Sequence, residues 1–317
     1  MNNSANKFAF LFPGQGSQSV CMMTGFASNE ICNKIIIDTF KEASDILGTN
    51  LWQMVTEPNE LLNQTTNTQP IMLTAGVATW RAWLAVGQSI NNAQPSIVAG
   101  HSLGEYTALV AAEAISFVDA LPLVRYRAEV MQNAVPDGVG AMAAILGLDD
   151  ATVLAVCVEA AQGEVLEAVN LNSPGQVVIA GHKSAVERGM ELAKAKGAKR
   201  ALALPVSVPS HCALMKPAAD KLREYLSTVS FNSPKISVLH NADVAAYTDI
   251  VQIKDALVRQ LYSPVRWVET IQAIAALGVT NTAECGPGKV LTGLTKRIVS
   301  ELHCVALINQ EALATIL

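Results

Sequence analysis

The stretch SIVAGHSLGEYTAL, residues 96–109, constrains the fold of this chain more than any other. Ile97, Val98 and Ala99 read as the end of a buried strand, and Gly100-His101-Ser102-Leu103-Gly104 as a sharp turn. From Glu105 onward, Leu109, Val110, Ala112 and Ala114 continue an apolar helical pattern. Gly-x-Ser-x-Gly between a strand and a helix is the nucleophile-elbow context. The glycines are expected to relieve crowding at the shoulders of the turn and to tolerate its unusual backbone angles. Ser102 then sits at a helix N-terminus, where backbone N–H groups and the helix dipole face developing negative charge. The Leu103 N–H is the first candidate donor. The pentapeptide alone recurs by chance and can be purely structural; the strand before it and the helix after it carry the reading.

With 317 residues, half of them hydrophobic, the chain can bury a sizeable core in one large or two smaller domains. The net charge of −5 gives no reason to expect nucleic acid or an anionic membrane as partner. No apolar run reaches spanning length, and MNNSANKFAFLFPGQG lacks the layout of a signal peptide. Six cysteines without a Cys-x-x-Cys pair are expected as free thiols in a reducing cytoplasm. Five scattered histidines without His-Glu-x-x-His predict no metal site.

Taken in order, residues 7–12 read as a strand and Pro13–Gln18 as a glycine-rich loop. That loop departs from Gly-x-Gly-x-x-Gly, because Ser19 stands at the third glycine and no later strand ends in an acid at the expected distance. It suits close approach of backbone N–H groups and the Gln15 amide to a ligand. Helices are expected over 31–47, 68–86 (with Pro70 in the first turn) and 117–135, the last carrying Arg125 and Arg127. Pro136-Asp137-Gly138 reads as a boundary. Beyond it come a strand from 139, a helix over 149–161, strands over 167–172 and 176–180, a helix over 184–196 and a strand over 201–206. This β-α-β-β-α-β order predicts an inserted ferredoxin-like subdomain at 138–207 within a larger α/β subdomain made of 1–137 and 208–317. Ser210 is expected to cap a helix running to about 226. A buried strand over 236–239 ends at His240-Asn241, helices follow over 253–261 and 267–277, and a last strand over 280–284 precedes Gly286-Pro287-Gly288-Lys289. That is not a phosphate-binding Walker loop, since Ala283 and Val290 occupy required positions.

A serine nucleophile needs a base. His182 and His303 read as bystanders, and His101 diverges from its neighbour Ser102 at a tight turn. His240 ends a strand and remains a candidate. His211 lies where the chain returns to the larger subdomain, the usual way a distant base reaches an elbow.

The motifs GQGSQ, GHSLGEY, RAEVMQ, PVSVPSHCALMKP and GPGKVLTGLTKR, in this order, closely resemble the bacterial malonyl-CoA:acyl carrier protein transacylases of type II fatty acid synthesis, relatives of polyketide synthase acyltransferase domains. The resemblance runs from Phe8 to Ile298. It implies an α/β hydrolase-like core with a parallel sheet, and a ping-pong transfer of malonyl from malonyl-CoA to the carrier-protein thiol. Ser102 would be acylated, with His211 as its base. The imidazole would be held by a backbone carbonyl near Gln260 rather than by an aspartate. The N–H groups of Gln15 and Leu103 would form the oxyanion hole, Arg127 would grip the malonyl carboxylate, and Asn170, Asn241 and Gln260 would contribute to the substrate site. Malonyl-CoA and acyl carrier protein would be the partners of a cytoplasmic monomer needing no cofactor. Two positions depart from the pattern: His240 stands where asparagine is common, and Cys285 where valine is usual.

Lys194, Lys196, Lys199 and Arg200 form the densest basic group and are expected to meet an acidic carrier protein, chiefly through Lys199 and Arg200, with Lys289, Lys296 and Arg297 as another wall. The competing readings are a serine esterase or thioesterase on the same elbow, which gives Arg127 no task, and a nucleotide-binding module built on the two glycine loops.

Overall fold

The computed structural model describes residues 7–86, 94–206 and 208–315. Its organising element is strand β1 (Phe8–Phe12), in which all five side chains are buried. Such a run suits a central strand covered on both faces. One face meets helix α3 (Thr65–Val86), where Phe10 packs edge-on against Trp80 and Trp83 with ring centroids 5.2 and 4.7 Å apart. The other face, with Ala9 and Leu11, joins a second cluster containing Trp267 and Ile271.

Strand β1 lies between β2 (Ile97–Gly100) and β9 (Asn281–Glu284), parallel to both. With β7 (Ser237–His240), β8 (Ala245–Ala246) and β10 (His303–Ala306) they form a six-stranded sheet in the order β10-β9-β1-β2-β7-β8, parallel except for β8. Helices α1 (Glu30–Leu47) and α5 (Phe117–Gln132) pack with α3. The short α2 (Leu51–Thr56) and the edge strands β8 and β10 have no sequence pattern strong enough to predict them.

A second sheet is antiparallel, in the order β4-β5-β3-β6, from β3 (Gly140–Leu146), β4 (Leu166–Ser173), β5 (Gln176–His182) and β6 (Arg200–Ala203). Helices α6 (Asp150–Ala161) and α7 (Lys183–Ala195) cover one face over a separate core containing Ile145, Val177 and Ile179. The expected boundary residue Ser207 lies outside the described residues. Val265, in the segment before the helix at Trp267–Ala276, bridges to the smaller sheet: Leu171 N–H donates to Val265 O (3.0 Å) and Val265 N–H to Val169 O (2.9 Å).

Three expectations need correction. Helix α3 begins at Thr65, so Pro70 lies inside it rather than in its first turn. Strand β6 ends at Ala203, short of the expected 206, with the Leu204 N–H still on Met142 O (2.9 Å) and Pro205 following. Ser210 caps nothing: His211 takes φ +68° with its N–H on Leu261 O (2.9 Å), and helix α8 (Lys216–Thr228) starts only after Met215.

The glycines at the sharp turn meet the expected need to relieve crowding, but not the expected unusual backbone angles. Neither Gly100 nor Gly104 has positive φ; that conformation falls on Ser102, at φ +52°. The glycines are there for close approach. A Cβ on Gly100 would lie 1.9 Å from Gly104 C, one on Gly104 2.0 Å from Phe12 O, and one on Gly14 2.4 Å from His101 O. The chain therefore packs three segments, 12–14, 100–101 and 104, against one another.

Gly104→Ala is expected to lower thermal stability severely or abolish soluble folding. Gly293→Ala is expected to stabilise by about 0.5–1 kcal/mol, since Gly293 lies at an exposed position inside helix α11 (Val290–Ile298) with nothing near its missing Cβ. Denaturant unfolding of the two variants checks both signs.

Candidate active site

Ser102 is held between β2 and helix α4 (Gly104–Ala111) with its backbone in the left-handed region, which costs an L-residue about 1–2 kcal/mol. Two buried amide side chains support that conformation. Asn241 Oδ1 accepts the Ser102 N–H (2.7 Å) while its Nδ2 donates to Gly100 O (2.7 Å). Gln260 Nε2 donates to Ser102 O (2.9 Å).

The hydroxyl is exposed to one imidazole. Ser102 Oγ lies 2.8 Å from His211 Nε2, and His211 Nδ1 lies 2.7 Å from Gln260 O. A carbonyl oxygen can only accept, so Nδ1 carries the proton and Nε2 presents its lone pair to the serine O–H. Burial, and then the nearby Arg127 charge, push the His211 pKa down to about 3. The imidazole is thus neutral at rest and able to receive a proton.

Arg127, on α5, is 1% exposed. Its Nη1 donates to Gln69 Oε1 (2.8 Å), and its Nη2 to Gln260 Oε1 (2.9 Å) and Ser102 Oγ (3.3 Å). Its Nε–H has no partner among the described residues. The guanidinium faces neutral oxygens only, and burial pushes its pKa below the ordinary value. A buried cation with no carboxylate against it is costly unless an anion arrives.

These groups open into a cavity of about 310 Å³ whose walls include Gln15, Ser102, Leu103, Arg127, Asn170 and His211. Asn170 is on β4, so the cavity lies between the two sheets. Gln15 sits in the loop after β1, its side-chain amide on Thr65 Oγ1 (3.2 Å). Asn241 and Gln260 are fully buried behind the turn rather than on the cavity wall.

The other candidates lie elsewhere or do other things. His240 Nδ1 donates to the buried Glu105 Oε1 (2.7 Å), on the far side of the turn. His101 Nε2 meets Asn172 Oδ1 (2.8 Å), and its ring packs edge-on against Trp267. Arg125 points away to Thr49 Oγ1 (3.3 Å) and Glu129 (3.6 Å). Cys212, beside His211, donates to Pro209 O (3.1 Å), and burial pushes its thiol up to about 12, so it offers no competing thiolate. Lys194 and Lys196 are engaged by Glu191 (2.8 Å) and Glu159 (3.0 Å). Lys199 and Arg200 are exposed and make no ion pair among the described residues. Lys289, Lys296 and Arg297 belong to the region of α11, which packs near β4, the edge of the small sheet opposite β6.

Gln69, Glu105 and Asn172 were not singled out by the sequence. Gln69 and Asn172 leave no local signal. Glu105 does, as a lone acid opening an otherwise apolar helix.

A serine hydroxyl bonded to a neutral, carbonyl-anchored imidazole inside an α/β cavity defines a class of proteins that move acyl groups through a serine ester. The chain belongs to the acyl transferase domain family, whose profile matches residues 9–314. It is 56% identical to the malonyl CoA-acyl carrier protein transacylase of Salmonella typhimurium, over 98% of this chain and 99% of that protein. The crystal structure of an acyl-carrier-protein S-malonyltransferase from Burkholderia pseudomallei superposes with a TM-score of 0.92 at 60% identity, covering 97% of this chain and 98% of that one. A second solved structure, a type II PKS acyl-carrier protein in complex with its malonyl-transacylase, matches with a TM-score of 0.93 at 52% identity over 98% and 99% of the two chains. The family resemblance carried by the five motifs is thereby borne out. No helix among the described residues is long and apolar enough to cross a membrane.

The His211 environment sets a pH dependence of stability. Its folded-state pKa is lowered, so the unfolded chain binds the proton first and stability falls as pH drops from 6.5 toward 3. Between pH 7.5 and 5, wild type is expected to lose roughly 1–2 kcal/mol more than His211→Gln, which cannot titrate. Urea midpoints of the two proteins at both pH values measure the difference, and equal losses would mean that His211 titrates normally.

Proposed function

We propose that this chain transfers the malonyl group of malonyl-CoA to the phosphopantetheine thiol of acyl carrier protein through a malonyl-Ser102 ester. The observation that carries this reading is Arg127: a buried guanidinium, 3.3 Å from Ser102 Oγ, with no carboxylate of the protein against it. An acyl group with a free carboxylate supplies the direct ionic contact that the guanidinium lacks, in the bidentate geometry a guanidinium favours. An esterase acting on neutral acyl groups leaves that charge unexplained. A nucleotide-binding module leaves the Ser102–His211 pair without work.

In the first half-reaction Ser102 Oγ attacks the thioester carbonyl while His211 Nε2 takes its proton. The Nδ1–H···O bond to Gln260 stabilises the imidazolium in the role usually given to an aspartate. The thioester oxygen, negative in the tetrahedral intermediate, is received by the N–H groups of Leu103 and Gln15. The Ser102 N–H is already committed to Asn241, which leaves the next amide in the turn for that task. Collapse expels the CoA thiolate, and the proton passes to it from His211. In the second half-reaction the carrier thiol gives its proton to His211, attacks the ester, and Ser102 leaves as the hydroxyl. Arg127 holds the malonyl carboxylate throughout, which fixes the acyl carbonyl between nucleophile and donors. Asn170 lines the path of the thioester arm, whereas Asn241 and Gln260 act from behind the turn.

The larger sheet is read as an α/β hydrolase-like core with a nucleophile elbow at Ser102. The smaller unit, 138–207, is read as an inserted ferredoxin-like subdomain; its β-α-β-β-α-β order and β4-β5-β3-β6 sheet support this. The reaction requires no cofactor beyond its thioester substrates, and a cytoplasmic monomer is the working form. The carrier protein approaches the exposed Lys199–Arg200 corner at the start of edge strand β6.

Exposure to malonyl-CoA is expected to add one malonyl mass to the wild-type protein and none to Ser102→Ala; intact mass spectrometry reads both, and label surviving in the alanine variant would assign the nucleophile elsewhere. Arg127→Ala is expected to lose malonyl transfer while keeping acetyl transfer, and Arg127→Lys to recover only part of it. Parallel assays with the two thioesters decide this, because equal losses on both would remove the carboxylate-reading role. Reversing Lys199 and Arg200 to glutamate is expected to raise the carrier-protein KM several-fold and leave acylation by malonyl-CoA intact. Measuring the two half-reactions separately across ionic strength tests it, and an unchanged carrier KM would move docking to another surface.

A further inference from the structure

Glu105 is a carboxylate with no exposed surface, and acyl transfer as described above gives it no task. Three donors converge on it. His240 Nδ1 reaches Oε1 at 2.7 Å, while the Asn241 N–H and Gln260 Nε2 both reach Oε2 at 2.9 Å. The last two residues are the ones that hold the turn: Asn241 fixes the Ser102 N–H, and Gln260 fixes the Ser102 carbonyl, His211 Nδ1 and Arg127 Nη2.

The orientation of the Gln260 amide follows without ambiguity. A guanidinium only donates and a carboxylate only accepts, so Oε1 faces Arg127 and Nε2 faces Glu105. One polarised amide therefore separates a buried cation from a buried anion. Glu105 is the negative group that lies behind the Arg127 charge while the acyl pocket is empty.

We propose that Glu105 is a positioning residue that braces Asn241 and Gln260 and is also the resident counter-charge of Arg127, setting how strongly the site prefers an acyl group with a carboxylate. The inference rests on the acyl-transfer reading given above. Its physical content is a competition. The Glu105 charge repels an incoming carboxylate and favours the His211 imidazolium. Without it, a carboxylate is held more strongly and proton transfer to His211 becomes harder for any substrate.

The test measures second-order acylation rates with malonyl-CoA and acetyl-CoA by intact mass. Glu105→Gln keeps the reach and removes the charge; Glu105→Asp keeps the charge and loses the reach. In Glu105→Gln the acetyl rate is expected to fall and the malonyl-to-acetyl ratio to rise on the order of threefold to tenfold. In Glu105→Asp both rates are expected to fall with the ratio within about twofold of wild type, since a structural defect touches both substrates alike. A Glu105→Gln protein that melts like wild type yet keeps the wild-type ratio would overturn the counter-charge. If Glu105→Gln does not fold, the double variant with Arg127→Ala, which removes both charges, is expected to fold; failure of the double variant where Arg127→Ala alone folds would also overturn it. Wild-type protein that takes no malonyl group on Ser102 is a separate result, which would sink the acyl-transfer reading itself.

Discussion

The structure depends on keeping a guanidinium charge in a dry place beside a serine hydroxyl. Arg127 is surrounded by Gln69, Gln260, Ser102 and the face of the Tyr106 ring, whose centroid lies 5.4 Å from Cζ. All are neutral. Such an arrangement is unfavourable in an empty site, and in the proposed function an entering acyl carboxylate relieves it. The same charge acts on His211, helping burial to keep the imidazole neutral and its Nε2 lone pair available. In the proposed function, one residue thereby serves both selection of the acyl group and readiness of His211.

Two members of the site, Ser102 and His211, are held in left-handed backbone conformations that their residue types disfavour, at φ +52° and +68°. The strain persists because the surroundings over-determine it. Missing Cβ atoms at Gly14, Gly100 and Gly104 let three segments meet at van der Waals distance, and the Asn241 and Gln260 side chains tie the Ser102 peptide on both sides. The His211 N–H is tied to Leu261 O, directly after the residue whose carbonyl anchors its ring. Helix α9 (Ile250–Gln260) and the residue after it therefore fix the His211 ring by main chain rather than by an acidic side chain.

Much of this was legible in the sequence because its signals are local. The apolar run, the paired glycines and the helix that follows predict where Ser102 sits, and the alternation over 138–207 predicts the order of the small unit. What was not legible depends on long-range packing. Nothing near Gln69 or Asn172 indicates that each reaches a site residue far away in sequence, and the Glu105–His240 contact spans 135 positions. Ser210 carries the chemistry of a helix cap, but the backbone turn that orients His211 takes that place and delays the helix to Lys216. His240 and His211 were both open as bases on the residues alone. Only the spatial arrangement separates an imidazole 2.8 Å from Ser102 Oγ from one bonded to a carboxylate behind the turn.

The claim that a buried positive charge waits for the substrate carboxylate is tested most directly by the stability of the acyl-enzyme itself. Thermal unfolding is to be compared for the free protein, the malonyl-enzyme and the acetyl-enzyme at one pH and salt concentration. If the malonyl carboxylate neutralises Arg127, the malonyl-enzyme melts about 1.5 °C or more above the acetyl-enzyme, the shift expected for about 1 kcal/mol in a chain of this length. Equal melting temperatures for the two acyl-enzymes, or a less stable malonyl form, would contradict it.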